Sequence, residues 1–200
     1  KLNVENSFIN YFKHETEIYK GMRLIDQELG GTTPLDIIIK FKKDNTFELN
    51  ENSSNENEIE LEIEDDLDLS NDLLIDDSSP SSWFTEDKIF AVKSIHKYLD
   101  EQKEIGKVQS IFSLIDMAEQ INKKPLSLFE LSVLYNEIPE NYKKELIFPY
   151  LSIDENMAKI SARIKDSEDI KREELINNIQ NHVNKKYESI EEVHVNGLIV

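Results

Sequence analysis

Leu29-Gly30-Gly31-Thr32-Thr33-Pro34-Leu35-Asp36-Ile37-Ile38-Ile39 is the stretch on which the fold turns. Before it, residues 15–28 place Ile18, Met22, Ile25 and Leu29 at helical spacing, which predicts a helix with that stripe turned inward. The double glycine then stops the helix, because the residue past a helix end often needs a positive φ. Pro34 opens a β-branched run, so residues 35–42 read as a buried strand. By spacing alone the segment is a helix-to-strand turn. Glycines that precede a strand cannot set a phosphate on a helix N-terminus.

Working outward, residues 1–13 read as an extended lead-in whose aromatics pack on the body. Residues 43–82 form an insert rich in Asn, Ser, Asp and Glu, a composition that buries too little to order itself. Within it, residues 58–64 alternate Glu with Ile and Leu, so part of the insert reads as an edge strand. Trp83 and Phe84 mark the return to the core, and Thr85 is placed to cap a helix running to 102, with Ile89, Val92, Ile95 and Leu99 on one face. Gly106 breaks that helix, and residues 107–112 read as a short strand. Ser113 with Asp116 and Ser127 with Glu130 have capping-box spacing, and Pro139 starts a further short helix, so residues 112–148 form a helical lobe. Ala158, Ile160, Ala162 and Ile164 alternate with charged or polar residues, the pattern of a half-buried strand over 157–165. Ser167 is placed to cap a helix to 186, with Leu175, Ile176, Ile179 and Val183 inward, and 190–196 is the last strand.

Leaving out the first helix and the insert, strand–helix–strand occurs twice. The expected fold is therefore α+β: a ferredoxin-like split βαβ pair in one domain over 1–200, with both long helices on one face of a four-stranded sheet.

Composition narrows the function. The chain has 200 residues, 38% of them apolar, no cysteine and a net charge of −18. Without cysteine there is no disulfide, thiolate metal site or cysteine nucleophile. Residues 44–82 hold 14 acidic residues and no basic one, so the remaining 27 acidic residues face 23 basic ones. The body is nearly balanced, and duplex nucleic acid, which needs a basic face, is not an expected partner.

Catalytic patterns are missing. No GxSxG, Walker or GxGxxG motif is present, and His14, His96, His182 and His194 lack metal-site spacing. Glu173-Glu174 and Glu191-Glu192 are sequence neighbours and do not make an acid–base pair. Asp66, Asp68, Ser70, Asp72 and Asp77 stand at the ligand positions of an EF-hand-like loop, but Asn71 replaces its glycine and no helix pair flanks it. The loop reads as a solvated acidic segment. No catalytic residue, cofactor or metal site is expected. A phosphate-cradling enzyme on this scaffold is disfavoured too, because Lys42-Lys43-Asp44 leads straight into the acidic insert.

Several short motifs, taken in order, resemble a known family. They are Asn6-Ser7-Phe8-Ile9-Asn10-Tyr11-Phe12, Tyr19-Lys20-Gly21-Met22, the Leu29 to Asp36 segment, Gly106-Lys107-Val108-Gln109-Ser110, Pro149-Tyr150-Leu151-Ser152 and Val195-Asn196-Gly197-Leu198-Ile199-Val200. In this order the chain is similar to the second large periplasmic loop, between transmembrane segments 7 and 8, of resistance-nodulation-division (RND) exporters, in the MMPL-like and hopanoid-exporter-like branch. The missing initiator Met and the apolar stub Gly197-Leu198-Ile199-Val200 are read in the same way, as a piece of a longer chain cut before a membrane helix. The resemblance implies a periplasmic porter-type domain of an inner-membrane parent that exports lipids or other hydrophobic molecules, driven by protons. Its implied partners are the sister periplasmic loop, the parent's transmembrane segments, the hydrophobic substrate and, as an option, further copies of itself. The proton-relay carboxylates of such a parent lie in its membrane helices, outside this chain.

Candidate substrate-facing residues are Phe8, Phe12, Phe129, Tyr135 and Phe148, with core filling as their ordinary alternative. A second functional class stays open: a lipid-sensing or protein-interaction module on the same scaffold, without transport.

Overall fold

In the computed structural model, Leu35, Ile37 and Ile39 of strand β1 (Thr33–Phe41) are fully buried, while Asp36, Ile38 and Lys40 between them are half-exposed. Strand β1 therefore has one covered face and one open face, as its alternation requires. The structure describes residues 9–43, 83–166 and 172–197. Phe8, the acidic insert with its EF-hand-like spacing and its alternating segment, and the Ser167 cap lie outside the described residues.

A 3-10 turn (Ile9–Tyr11) leads into α1 (Glu17–Glu28) and then β1. After the insert come α2 (Glu86–Asp100), β2 (Ile105–Gln109), α3 (Ile111–Asn122), α4 (Leu128–Glu137) and α5 (Glu140–Leu146). The chain continues through the two-residue β3 (Leu151–Ser152), β4 (Met157–Ile164), α6 (Arg172–Lys186) and β5 (Ile190–Gly197). The long strands lie in the order β2-β4-β1-β5, every described pairing is antiparallel, and β3 pairs with β4. The fold is α+β. In the unit β1–α2–β2 the two strands are separated by β4, and in the unit β4–α6–β5 they are separated by β1. Each unit is completed by a strand of the other, so neither makes a sheet by itself.

Both long helices cover the same face. Val92, Ile95 and Leu99 of α2, and Ile179 and Val183 of α6, join Leu35, Ile37, Ile39, Ile160 and Ile164 in one buried cluster. Tyr98 of α2 stacks on His182 of α6, with ring centroids 3.7 Å apart and planes 4° from parallel. The open face is polar: Ser161 Oγ donates to Asp36 Oδ1 across the β1–β4 pair at 2.7 Å. One packed and one solvated face is the normal economy of an antiparallel sheet.

Gly30 and Gly31 adopt φ of 82° and 119°, the left-handed region foreseen for a helix stop. Close packing needs them as well. A Cβ on Gly31 would meet the Ile164 carbonyl oxygen at 2.6 Å, and a Cβ on Gly106 would meet the backbone of Gly30. Gly106 thus does not serve as a helix breaker. It lies inside β2 and lets that strand approach the turn between α1 and β1.

Three expectations about individual elements need correction. First, α1 is turned by one residue from the predicted stripe. Ile18, Ile25 and Leu29 are exposed, whereas Tyr19 and Asp26 are buried. The reason is polar: both carboxylate oxygens of Asp26 accept the Asp166 N–H at 2.9 and 3.0 Å, and Thr32 Oγ1 donates to Asp26 Oδ1 at 3.1 Å. Second, the lead-in is a 3-10 turn from Ile9, and Tyr11 is exposed rather than packed on the body. Third, the strand expected over 107–112 is β2, which ends at Gln109. Ser110 caps α3, with Ser113 as the reciprocal member of the box, so the box does not begin at Ser113. Glu191 and Glu192 are both exposed where the β1–β5 register shifts at Lys40/Phe41. A bulge removes the alternation there, and the two carboxylates take different partners, Lys40 at 3.2 Å and His194 at 3.1 Å.

Candidate functional site: the outer face of the helical lobe

Segment 111–148 builds its helices from local signals. The Ser110 hydroxyl accepts the Phe112 N–H at 3.1 Å, and Ser113 Oγ accepts the Ser110 N–H at 3.2 Å. The predicted box of α4 forms: the Ser127 hydroxyl accepts the Glu130 N–H at 3.2 Å, and Glu130 Oε2 accepts the Ser127 N–H at 2.8 Å. Lys124 closes on Glu130 at 2.9 Å. That ammonium, together with the two Ser127 donors, holds the Glu130 carboxyl down at about 2. Pro139 caps α5, in keeping with its expected place at a helix start.

The inner side of the lobe joins the core through Ile111, Phe112, Ile115, Leu131 and Ile147. A file of rings ties it to the sheet: Phe41 to Trp83 at 6.0 Å, Trp83 to Phe84 at 5.4 Å and Phe84 to Tyr135 at 5.8 Å. Lys143 is buried, sits 4.6 Å from the Tyr135 ring and pairs with Glu140 at 3.0 Å. Burial pushes the Tyr135 hydroxyl above its ordinary value, and the Lys143 charge pulls the other way.

The lobe leaves many apolar side chains exposed among its polar ones. Met117, Ile121, Leu128, Phe129, Val133, Leu134, Tyr142, Leu146 and Phe148 are all exposed, nine of the fifteen large exposed apolar side chains among the described residues. Ile121 and Phe129, on either side of the α3–α4 turn, are 78% and 76% exposed. A second group is the outward face of α1, with Ile18, Leu24, Ile25 and Leu29. Scattered single apolar residues on a surface are ordinary, but runs of them mark contact sites.

The predicted residues occupy different settings. Phe129 and Phe148 are exposed on the lobe. Tyr135 is half-buried in the ring file and supports the lobe from within. Phe12 is half-buried at the N-terminal turn, where its N–H donates to the Ile9 carbonyl at 3.2 Å. Sequence reading missed the rest of the surface because Met117, Ile121, Val133 and Leu146 sit at spacings that also suit core positions. It missed His96 as well, whose Nδ1 lies 2.9 Å from Ser110 Oγ. The S-x-x-S box of Ser110 and Ser113, directly after β2, is the sequence signal at that place.

The four histidines have separate surroundings: His14 against Tyr19 at 4.4 Å, His96 at Ser110, His182 on Tyr98, and His194 beside Glu192. Among the described residues no three metal-ligating side chains come together, and no helix is long and apolar enough to cross a membrane. No model of a known protein family matches this chain, and no curated protein matches it.

Proposed function

We propose that this chain is an extracytoplasmic, porter-type domain of a proton-driven RND-type exporter of lipids or other hydrophobic molecules. The observation that carries the reading is the number of apolar side chains the lobe leaves exposed, held on a sheet of two interleaved strand–helix–strand units. A surface that keeps Ile121 and Phe129 in water is costly by about 25 cal/mol for each Å² left uncovered, so it suits a partner or cargo that is itself apolar. The order of the short motifs and the interleaved antiparallel strands support the same reading. In it, Phe129 and Phe148 meet the hydrophobic substrate, Tyr135 and Lys143 brace the lobe, and the outward stripe of α1 faces the rest of the parent chain, including the sister loop.

The test uses the full parent protein in proteoliposomes loaded with a fluorescent phospholipid. The reading expects hydrophobic segments on both sides of this chain in the parent, and efflux that stops when a protonophore removes the gradient. It expects F129S to slow efflux several-fold without changing the domain's circular dichroism. A parent without flanking hydrophobic segments overturns it, and so does efflux indifferent to both the gradient and Phe129.

A further inference from the structure

The His96–Ser110 contact fixes the direction of a hydrogen bond at a place where water cannot help. Ser110 is fully buried, and its Oγ already accepts the Phe112 N–H. Among the described residues the hydroxyl hydrogen then has His96 Nδ1, at 2.9 Å, as its acceptor. That assignment makes the imidazole neutral, with its proton on Nε2. Ser110 directly follows the end of β2 and is the N-cap of α3, so this bond sits where the sheet hands the chain to the lobe.

We propose that His96 and Ser110 form a proton-sensitive joint between α2 and the helical lobe. A proton on Nδ1 turns the ring from acceptor to donor. The buried hydroxyl hydrogen then loses its acceptor and faces a second N–H donor instead. An unpaired buried donor is expensive, so the cap loosens.

The charges around the ring supply the second arrangement. Asp100, one turn further along α2, and Asp116 of α3 both face His96 and favour its charged form. Lys93, one turn earlier, lies over the Phe112 ring at 5.2 Å, and Phe112 itself meets His96 edge-on at 5.3 Å. Burial outweighs the two carboxylates and holds the imidazole below its ordinary 6.5. The sign follows. The unfolded chain takes up its proton first as pH falls below 6.5, so the joint is intact above that value and weakens as pH drops through the lower, folded value. A protonated His96 has Asp100 or Asp116 to turn towards, and that turn leaves Ser110 without its partner.

The experiment is an imidazole ¹⁵N NMR titration of the whole chain, with amide hydrogen exchange at pH 7.5 and pH 5.0 corrected for intrinsic rates. At pH 7.5 the Nδ1 resonance of His96 is expected at the unprotonated position. At pH 5.0 the first-turn amides of α3 are expected to lose protection about tenfold relative to those of β1, the factor that one buried hydrogen bond carries. H96N keeps an acceptor near the Nδ1 position and carries no charge, so its α3 protection should be the same at both values. A proton found on Nδ1 at pH 7.5 overturns the proposal. So does an α3 protection that is unchanged at pH 5.0 in the wild-type chain, a result that does not depend on H96N folding. Either failure leaves the exporter reading intact, because that reading rests on efflux.

Discussion

At the scale of single residues, the three glycines around the α1–β1 turn have the least freedom to change. Gly31 combines a φ of 119° with the Ile164 carbonyl oxygen 2.6 Å from where a Cβ would stand. G31A therefore brings backbone strain and a backbone clash together, and denaturant unfolding should show a loss of about 3 kcal/mol. Gly21 is the contrast: it lies inside α1 with nothing near its Cβ position, so G21A should raise stability by up to about 1 kcal/mol. A similar result for the two variants would contradict the packing described here. Glu130 makes a prediction in pH. Its carboxyl is held down to about 2 by Lys124 and Ser127. A depressed carboxylate contributes stability above its unfolded value, near 4.5, and loses it as pH falls through the folded value. Wild type should therefore exceed E130Q in urea midpoint at pH 6, and the gap should close near pH 2.

Single elements show where the sequence was readable. Strand β4 followed its alternation residue by residue, because Ala158, Ile160, Ala162 and Ile164 have no competing polar anchor. Helix α2 likewise turned Val92, Ile95 and Leu99 inward as their spacing required. Helix α1 did not follow its apolar stripe. A single carboxylate, Asp26, accepts the N–H of Asp166, 140 positions away, and that long-range bond set the rotation. Periodicity cannot register a partner so distant. Of the candidate surface, the sequence singled out Phe129 and Phe148, which are exposed, but aliphatic residues at core-like spacing gave no sign of which side of the lobe they would take. The rotation of α1 can be checked directly. I25S should change stability by no more than about 0.5 kcal/mol, as exposed positions do, while D26A should cost about 1–3 kcal/mol by removing a buried carboxylate that accepts from Asp166 N–H and Thr32 Oγ1. Equal losses from the two would mean that the stripe, rather than the carboxylate, faces the body.

For the molecule as a whole, the interleaving of the two strand–helix–strand units decides what unfolds together. Strand β1 is hydrogen-bonded to β4 on one side and β5 on the other, and its Leu35, Ile37 and Ile39 are fully buried. Neither unit can leave without exposing the strand of the other. The lobe is attached differently: α4 buries Leu131, while α5 and its C-terminal cap bury Lys143 and Ile147. Apolar contacts of that number, with one buried ammonium resting on a ring and a carboxylate, give a smaller opening free energy than the sheet. Native-state hydrogen exchange at pH 7.5, where the His96 joint is closed, should therefore resolve two levels. The amides of β1 and β4 should exchange only with global unfolding, while those of α4 and α5 should open at least about 2 kcal/mol more easily. I37A should lower the sheet level by about 2–5 kcal/mol, the usual range for a large core side chain cut to Ala. It should leave the lobe level unchanged until the two meet. A single protection level across sheet and lobe would show that the lobe is locked to the core, and its exposed apolar side chains would then have to work as part of a rigid body.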